Sequence, residues 1–421
     1  MATLITVRGG TRRFGARHRW VVLSVGVGAQ ASFSAMFSGI PVTAVSMRSG
    51  YHLSLGSLGL VLSYLGLGVA ASDIAWGMLT DRWGDRRVLL AGLTATGALL
   101  AVMAAAVTPA EHAGVALLAA CLLAAGALGG SVNGASGRAV MTWFADGERG
   151  LAMSVRQTAI PVGGAVGVAL LPWLAERYGF RAVYAVPAVF CLLAAVATWR
   201  WLHEPAAAAA AAAPRPGPSP LRRWDVWRVA LASGLLTVPQ FAVLSFTAIF
   251  LHDVKGAGAG LAALIVLVAQ LGGGAARIWT GRRTDRRGGR RTWIRAIGTL
   301  SGVVMAAAAV LTSAPTPFTV AALAIGGLLA NSWHGIAYTE IAAMAGAARA
   351  GTALGLEGTA CFASGFLTPL LVPVVLALAS WEAVWGLAGL ASLLAVPLMP
   401  RAVRPVPRAV RPVPRAAVTR R

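Results

Sequence analysis

The sequence of residues 77–87 is GMLTDRWGDRR, and residues 281–291 carry a second version of it, GRRTDRRGGRR. A shift of 204 positions (281 − 77 = 204) aligns the two copies. The aligned residues are Gly77, Asp81, Arg82 and Gly84 in the first copy and Gly281, Asp285, Arg286 and Gly288 in the second. Each copy follows one long apolar run and precedes another. The repeat predicts a duplicated membrane protein in which each half carries a charged hairpin between two spans.

The composition of the chain predicts many membrane-spanning helices. Of its 421 residues, 57% are hydrophobic and only 12% are charged. Apolar runs of about 20 residues recur, which is enough to cross the ~30 Å hydrocarbon core as helices. Ala, Leu and Gly dominate without an alternating pattern, so strands are disfavoured. The predicted spans are residues 20–42, 57–79, 88–107, 114–141, 151–174, 183–202, 226–251, 259–280, 293–312, 318–344, 352–378 and 382–399.

The positive charge of the chain indicates its orientation. The net charge is +22. If the N-terminus is cytoplasmic, the external loops hold only four basic residues: Arg48, Arg177, Arg181 and Lys255. This asymmetry is the positive-inside rule, and it predicts a multi-pass protein of the cytoplasmic (inner) membrane with both termini in the cytoplasm. The sequence leaves no fold for nucleic-acid binding.

The segments around the spans divide the chain into five predicted regions. They are a basic cytoplasmic N-terminus (residues 1–19), a first six-helix bundle (20–202), a proline-rich cytoplasmic linker (203–225), a second six-helix bundle (226–399) and an Arg/Pro-rich cytoplasmic tail (400–421). Prolines prevent a continuous helix in the linker and the tail. The tail is either a segment that binds anionic lipids or an extension without function.

The duplication extends beyond the hairpins. Residues Gly150, Arg156 and Pro172 align with Gly351, Glu357 and Pro373 at a shift of 201 positions (351 − 150 = 201). Span five therefore repeats as span eleven. Because the two halves enter the membrane in the same direction, they are parallel repeats related by an axis along the membrane normal.

These features together resemble the major facilitator superfamily over residues 18–400. The pattern from Gly77 through Asp81 to Arg86 is similar to the motif that this family carries between spans two and three. The resemblance implies two six-helix bundles that move a small solute by alternating access, as a monomer and without a cofactor. It also implies that the hairpins gate the protein, with Asp81 meeting the N-terminal end of span eleven near Gly351. Residues 161–167 resemble the family's antiporter motif, with altered spacing.

Ionisable residues inside the spans are costly and mark ion pairs or pathways. The neighbouring spans predict two pairs, Asp73–Arg138 and Arg277–Glu340. Each pair is either a structural brace or a latch between conformations. Arg156 and Glu357 occupy repeat-related positions on spans expected to line the gap between the halves.

Arg156 is the candidate ligand for an anionic substrate group, because a guanidinium binds carboxylate through two hydrogen bonds. Glu357 is the candidate carrier of a coupling proton, because burial favours a neutral carboxyl. Either residue could instead belong to a structural pair. Further candidates are polar residues within the spans: Gln30, Asn133, Gln157, Gln240, Asn331, His334 and Tyr338.

Three cysteines, Cys121, Cys191 and Cys361, have spacings that fit neither a metal site nor a disulfide framework. No phosphate-binding Gly-x-x-x-x-Gly-Lys-Ser/Thr loop occurs. The sequence thus predicts a non-enzymatic, proton-coupled transporter, with uptake of a small organic anion ranked before efflux of amphipathic compounds. A membrane sensor and an intramembrane serine protease are the remaining alternatives, the latter with Ser136 as nucleophile and His334 as base.

Overall fold

A computed structural model describes residues 3–7, 10–15, 17–109, 114–203 and 218–401. Its helices are α1 (His18–Val42), α2 (Ala44–Gly50), α3 (Leu55–Trp83), α4 (Asp85–Ala106), α5 (Val115–Gly129), α6 (Ser131–Trp143), α7 (Arg149–Trp201), α8 (Trp224–Lys255), α9 (Ala259–Leu267), α10 (Gly273–Arg287), α11 (Arg290–Val310), α12 (Thr316–Ala330), α13 (His334–Ala345), α14 (Ala350–Leu378) and α15 (Trp381–Leu398). A π-helical turn, Val268–Gly272, joins α9 to α10.

These helices form twelve spans. Eleven helical segments in the described ranges are long and apolar enough to cross a membrane. The longest is α7, where Gly179 has φ 72° and ψ −174°, outside helical values, so this residue separates span five from span six. Spans one, two and three are α1, α3 and α4. Span four is α5 with α6, span seven is α8, and span eight is α9 with α10. Spans nine to twelve are α11, then α12 with α13, then α14 and α15. The predicted fold, an all-α membrane protein of twelve spans in two bundles, is confirmed.

The first bundle and the second bundle each have an apolar core. Val61, Leu100 and Tyr184 belong to the first core, and Phe250 and Trp385 belong to the second. A third cluster takes residues from both bundles. It lies toward the end of the molecule that carries residues 81–85 and 285–290, which we call the hairpin end. The two bundles meet mainly where span two packs on span eleven and span five packs on span eight.

Glycines allow the closest of these contacts. A Cβ atom at Gly77 would overlap the carbonyl oxygen of Gly351, and one at Gly281 would overlap that of Gly150. Small residues let helix backbones approach closely in a membrane, where apolar burial alone gives little driving force. The repeated glycine of each hairpin is thus a packing residue at the boundary between the bundles.

Gly77→Ala should lower the free energy of unfolding by about 1–3 kcal/mol, the usual effect of overpacking a well-packed contact. The measurement is the melting temperature of the purified protein in detergent. Gly66→Ala is the matched control, because Gly66 lies on the same helix and a Cβ there would meet nothing within 4 Å. Equal melting temperatures for the two variants would contradict this role of Gly77.

Three parts of the chain lie outside the bundles: the N-terminal segment, the linker and the tail. A two-stranded antiparallel sheet precedes the first helix and consists of β1 (Thr3–Val7) and β2 (Gly10–Phe14). The sequence predicted only a basic segment there. The alanine- and proline-rich linker at residues 204–217 and the tail at residues 402–421 lie outside the described residues. The extended linker and the lipid-binding tail therefore stay predictions.

Candidate functional site

The aspartate of the first hairpin caps span eleven. Asp81 Oδ1 accepts a hydrogen bond from the backbone N–H of Gly351 at 2.8 Å. Its Oδ2 accepts from the backbone N–H of Thr352 at 2.8 Å and from the hydroxyl of the same residue at 2.6 Å. These N–H groups begin α14, where no intrahelical acceptor exists and the helix dipole favours an anion. The predicted contact between Asp81 and the N-terminal end of span eleven is confirmed.

The aspartate of the second hairpin caps span five in the same way. Asp285 Oδ1 accepts from the backbone N–H of Gly150 at 2.8 Å, and its Oδ2 accepts from that of Leu151 at 2.7 Å. The repeat alignment contains the signal for this contact, because a shift of 201 positions converts Gly351 into Gly150. We call these two contacts the aspartate caps. Each joins one bundle to the other at the hairpin end.

The predicted pair Asp73–Arg138 is wrong. Arg138 Nη1 donates to Asp85 Oδ1 at 2.7 Å, and Arg138 Nε lies 3.5 Å from Asp81 Oδ1. Spans two and four cross the bundle in the same direction, so a residue farther along either span lies closer to the hairpin end. At the depth of Asp73 the residue on span four is Asn133, and Arg138 lies farther toward the hairpin end.

The predicted pair Arg277–Glu340 is wrong for the same reason. Arg277 donates from Nη1 to the carbonyl of Gln157 at 3.0 Å and from Nη2 to Asn331 Oδ1 at 3.2 Å, and its Nε bonds the carbonyl of Asn331. Glu340 lies nine positions beyond Asn331, toward the hairpin end, where it accepts from Arg291 Nε at 2.6 Å. Asp85 and Arg291, the observed partners, lie in the repeated hairpins and were not among the residues predicted to pair.

Arg156 holds a polar network together inside the first bundle. Its side chain is fully buried. Nη2 donates to Gln30 Oε1 at 2.6 Å and to the carbonyl of Asn133 at 2.7 Å, while Nε donates to Ser136 Oγ at 2.9 Å. Gln30 Nε2 donates to Asn133 Oδ1 at 3.2 Å, and Asn133 Nδ2 reaches both carboxylate oxygens of Asp73. An unbroken chain of hydrogen bonds therefore links Arg156 on span five to Asp73 on span two.

Glu357 occupies the corresponding place in the second bundle. It is fully buried, and its Oε1 accepts from Ser233 Oγ at 2.6 Å, whereas Oε2 has no partner in the described structure. Span five bonds span one through Arg156 and Gln30, and span eleven bonds span seven through Glu357 and Ser233. Sequence reasoning missed Ser233, although it lies within a few positions of the repeat counterpart of Gln30.

The charged groups of the two bundles meet in one region. Arg156 interacts electrostatically with Glu357, Asp73 and Tyr338, and Arg277 interacts with Tyr338 as well. We call these five residues the central cluster. It contains two guanidinium groups and two carboxyl groups at the boundary between the bundles, well inside the spans.

Several buried polar atoms beside the central cluster lack a partner among the residues that the structure describes. They include both side-chain amide atoms of Gln157 and Oε1 of Gln240. The other end of Gln240, Nε2, donates to Asn331 Oδ1 at 3.0 Å, and the ring of His334 stacks on Trp333 at 3.8 Å between centroids. Buried polar groups are normally hydrogen-bonded, so unpartnered ones identify candidate contacts for a ligand.

The region does not have the geometry of a protease or a metal centre. Ser136 Oγ donates to the carbonyl of Val132 at 2.6 Å and accepts from Arg156, so among the described residues its partners do not include a histidine that could activate it as a nucleophile. Among the described residues, no group of three or more His, Cys, Asp or Glu side chains is arranged to hold a metal ion.

An aromatic group lies where spans one and eleven meet. The ring centroids of Phe33 and Phe37 are 5.6 Å apart, and those of Phe37 and Phe362 are 5.3 Å apart in an edge-to-face arrangement. Phe362 follows Glu357 by five positions on span eleven. Apolar surface therefore adjoins the charged groups of the central cluster.

Comparisons with known proteins agree with this architecture. The model of the Major Facilitator Superfamily matches residues 26–369. The uncharacterized MFS-type transporter Rv2994 of Mycobacterium tuberculosis (strain ATCC 25618 / H37Rv) is 31% identical over 393 residues, which cover 93% of this chain and 87% of the relative.

Two solved structures share the fold at low sequence identity. The human organic anion transporter MFSD10 (TETRAN) has a TM-score of 0.72 and 16% identity, covering 91% of this chain and 99% of that one. The transporter FucP in its outward conformation has a TM-score of 0.70 and 14% identity, covering 92% of this chain and 100% of that one. The chain therefore belongs to the Major Facilitator Superfamily, whose members are non-enzymatic, multi-pass membrane transporters.

Proposed function

We propose that the protein couples the uptake of a small organic anion to the movement of protons, by alternating access, with Arg156 as the anion-binding group and Glu357 as the proton carrier. The observation that carries this proposal is the placement of these two residues. They occupy repeat-related positions, are fully buried, and interact across the boundary between the bundles. Within the described ranges, one carboxyl oxygen of Glu357 also has no hydrogen-bond partner.

The charge balance of the central cluster gives the coupling a physical basis. Arg156 and Arg277 carry two positive charges, and Asp73 and Glu357 carry two negative charges when ionised. A proton on Glu357 removes one negative charge and leaves the cluster with an excess positive charge. Uncompensated charge is costly inside a membrane, so an anionic substrate would then be favoured. Protonation and anion binding therefore support each other.

The aspartate caps supply the alternation. In the closed arrangement, Asp81 and Asp285 each tie one bundle to a helix N-terminus of the other. Loss of both caps would let span five separate from span eight, and span eleven from span two, at the hairpin end. The distribution of basic residues supports a cytoplasmic location for this end and for both termini, in the inner membrane of a bacterium. The arrangement described then corresponds to a transporter closed on its cytoplasmic side, acting as a monomer.

Glu357→Gln should abolish proton movement while leaving substrate binding intact, because glutamine keeps the hydrogen bond from Ser233 and cannot bind a proton. A thermal-shift screen of the purified wild-type protein against metabolites and drugs selects a carboxylate probe. That probe is then added to proteoliposomes that contain a pH-sensitive dye. We expect acidification with the wild type and background acidification with the variant, although the probe still stabilises both proteins.

Glu382→Gln is the matched control, because Glu382 is an exposed acid at the start of span twelve. Acidification equal to that of the wild type in the Glu357→Gln variant would overturn the assignment of the proton carrier. Ligand stabilisation without flux in any liposome experiment would favour the membrane-sensor alternative.

Efflux of amphipathic compounds is the second candidate function. The observation that favours it is the aromatic group of Phe33, Phe37 and Phe362 beside the charged cluster, since apolar rings suit the hydrophobic part of such a compound. The two functions differ in the direction in which the substrate moves relative to the protons. Under an inward proton gradient, uptake accumulates the probe inside right-side-out vesicles, whereas efflux expels it.

A further inference from the structure

Asp73 is a buried acid that the proposed function does not use as a proton carrier. Its exposed fraction is 1%. Its carboxylate accepts hydrogen bonds from Asn133 Nδ2, at 3.1 Å to Oδ1 and 3.2 Å to Oδ2. Within the described part of the chain, no ion pair includes Asp73. A carboxylate buried with a neutral amide as its hydrogen-bonding partner carries a desolvation cost that a bound proton removes.

The cover over Asp73 is a glycine surface on span eleven. A Cβ atom at Gly358 would overlap Asp73 Oδ2, and one at Gly355 would overlap the backbone carbonyl of Asp73. Thr359 Oγ1 donates to the carbonyl of Ala70 at 3.0 Å, one turn before Asp73 on span two. The carboxyl group thus lies directly against the opposite bundle, with no side chain between them at Gly358.

The same face of span two carries the aspartate cap. Asp73, Gly77 and Asp81 follow one another at intervals of four residues, which places them on one side of a helix. All three contact span eleven, at Gly358, Gly351 and the cap respectively. Asp73 is the deepest of the three. Separation of spans two and eleven that begins at the cap would therefore reach Asp73 last and open it toward the hairpin end.

Asp73 is also connected to the central cluster. The hydrogen-bond chain through Asn133 and Gln30 leads from its carboxylate to Arg156. The titratable groups that face it are Arg156 from span five, Tyr338 from span ten and Cys361 from span eleven, while Asn133 faces it from span four. Arg156 is the cation among them. A change of charge on Asp73 therefore changes the electrostatic potential at the proposed anion-binding group.

We propose that Asp73 is a second proton-binding site, which exchanges its proton with water at the hairpin end only after spans two and eleven have separated there. This inference rests on the proposed function, because it assigns the step in which a coupling proton leaves the central cluster. Glu357 would take up the proton and Asp73 would release it, with Arg156 facing both. The gate of this site is the glycine contact between the bundles.

The test is chemical labelling of Asp73 with dicyclohexylcarbodiimide, a hydrophobic reagent that forms an N-acylurea on protonated carboxyl groups. The full-length protein in liposomes is treated over a series of pH values, and adducts on the peptides that contain Asp73 and Glu357 are quantified by mass spectrometry.

Two single variants loosen the contact between spans two and eleven: Asp81→Asn and Gly351→Ala. Alkylation of the native Cys361 by a maleimide reports whether span eleven has moved. Asp73→Asn is the control that removes the adduct.

We expect the adduct on Asp73 to increase about tenfold in the loosened variants, as a local opening equilibrium shifts, and to decrease as the pH rises. Equal labelling of Asp73 in the wild type and the variants would show that span eleven does not gate the site. Increased alkylation of Cys361 without labelling of Asp73 would show that Asp73 does not bind a proton. Unchanged alkylation in both variants would show that the contact with span two does not cover this region.

Failure of this inference can be separated from failure of the proposed function. The role of Asp73 alone would be overturned by the following combination of results. Asp73 is not labelled, the wild type shows normal carboxylate-driven proton movement, and the Glu357→Gln variant shows no such movement. Absence of proton movement in the wild type with every carboxylate probe would overturn the proposed function itself.

Discussion

Replacing Arg156 with alanine should abolish carboxylate-driven proton movement in proteoliposomes. The guanidinium is fully buried and supplies the hydrogen bonds that Gln30, Ser136 and the carbonyl of Asn133 accept. Its removal takes away the proposed anion ligand and leaves Gln30 Oε1 without its donor, at a cost of about 1–3 kcal/mol for a buried unsatisfied group. It also removes the first bundle's positive charge from a region that holds Asp73 and Glu357. We therefore expect loss of transport together with a lower melting temperature.

A second substitution separates transport from folding. Arg156→Lys keeps the positive charge, but a lysine ammonium cannot reproduce the planar fork of a guanidinium. We expect this variant to fold with nearly the stability of the wild type and to transport the carboxylate probe with reduced affinity. Arg181→Ala, at an exposed position near Gly179, is the control for loss of a charge alone. Normal proton movement in Arg156→Ala would refute the role of Arg156.

The sequence predicted the fold because the relevant signals are local or repeated. Each span is an apolar run whose length matches the bilayer, and the hairpin motif marks the same point in both halves. The cap of Asp81 on span eleven was also predicted, through the family resemblance. Given that contact, the repeat also indicates the cap of Asp285 on span five, since Asp81 and Gly351 have Asp285 and Gly150 as their counterparts at shifts of 204 and 201 positions.

The ion pairs could not be predicted, because they depend on depth and rotation within the bundle. Arg138 and Asp73 lie on neighbouring spans, yet Arg138 reaches Asp85 at 2.7 Å near the hairpin end. Arg277 bonds the carbonyls of Asn331 and Gln157, and backbone acceptors leave no trace in a sequence. Opposite charges on adjacent helices therefore restrict the possible partners without selecting one.

The other large effect concerns the aspartate caps. Asp81→Asn combined with Asp285→Asn should shift the protein toward a state that is open at the hairpin end. Each carboxylate accepts two backbone N–H groups at a helix N-terminus. Asparagine has one acceptor oxygen in place of two and no charge, and hydrogen bonds to charged groups contribute about 1.5–3 kcal/mol. A loss of about 3 kcal/mol for the two caps together corresponds to an approximately 10²-fold change in the equilibrium.

Arg87 of the first bundle and Arg282 of the second are exposed residues at the hairpin end. Each is replaced by cysteine and carries a spin label, and double electron–electron resonance measures the distance between the two labels. Cys121, Cys191 and Cys361 are first replaced by serine, so that only these positions react. The distance distribution should broaden and lengthen in the double variant and change less in each single variant, because the caps lie on different contacts and contribute separately. Asp253→Asn, an exposed acid at the opposite end of span seven, should leave the distribution unchanged. If the double variant keeps the wild-type distribution, then the glycine contacts of Gly77 and Gly281 hold the bundles together without the caps, and the aspartates of the repeated hairpin do not gate this transporter.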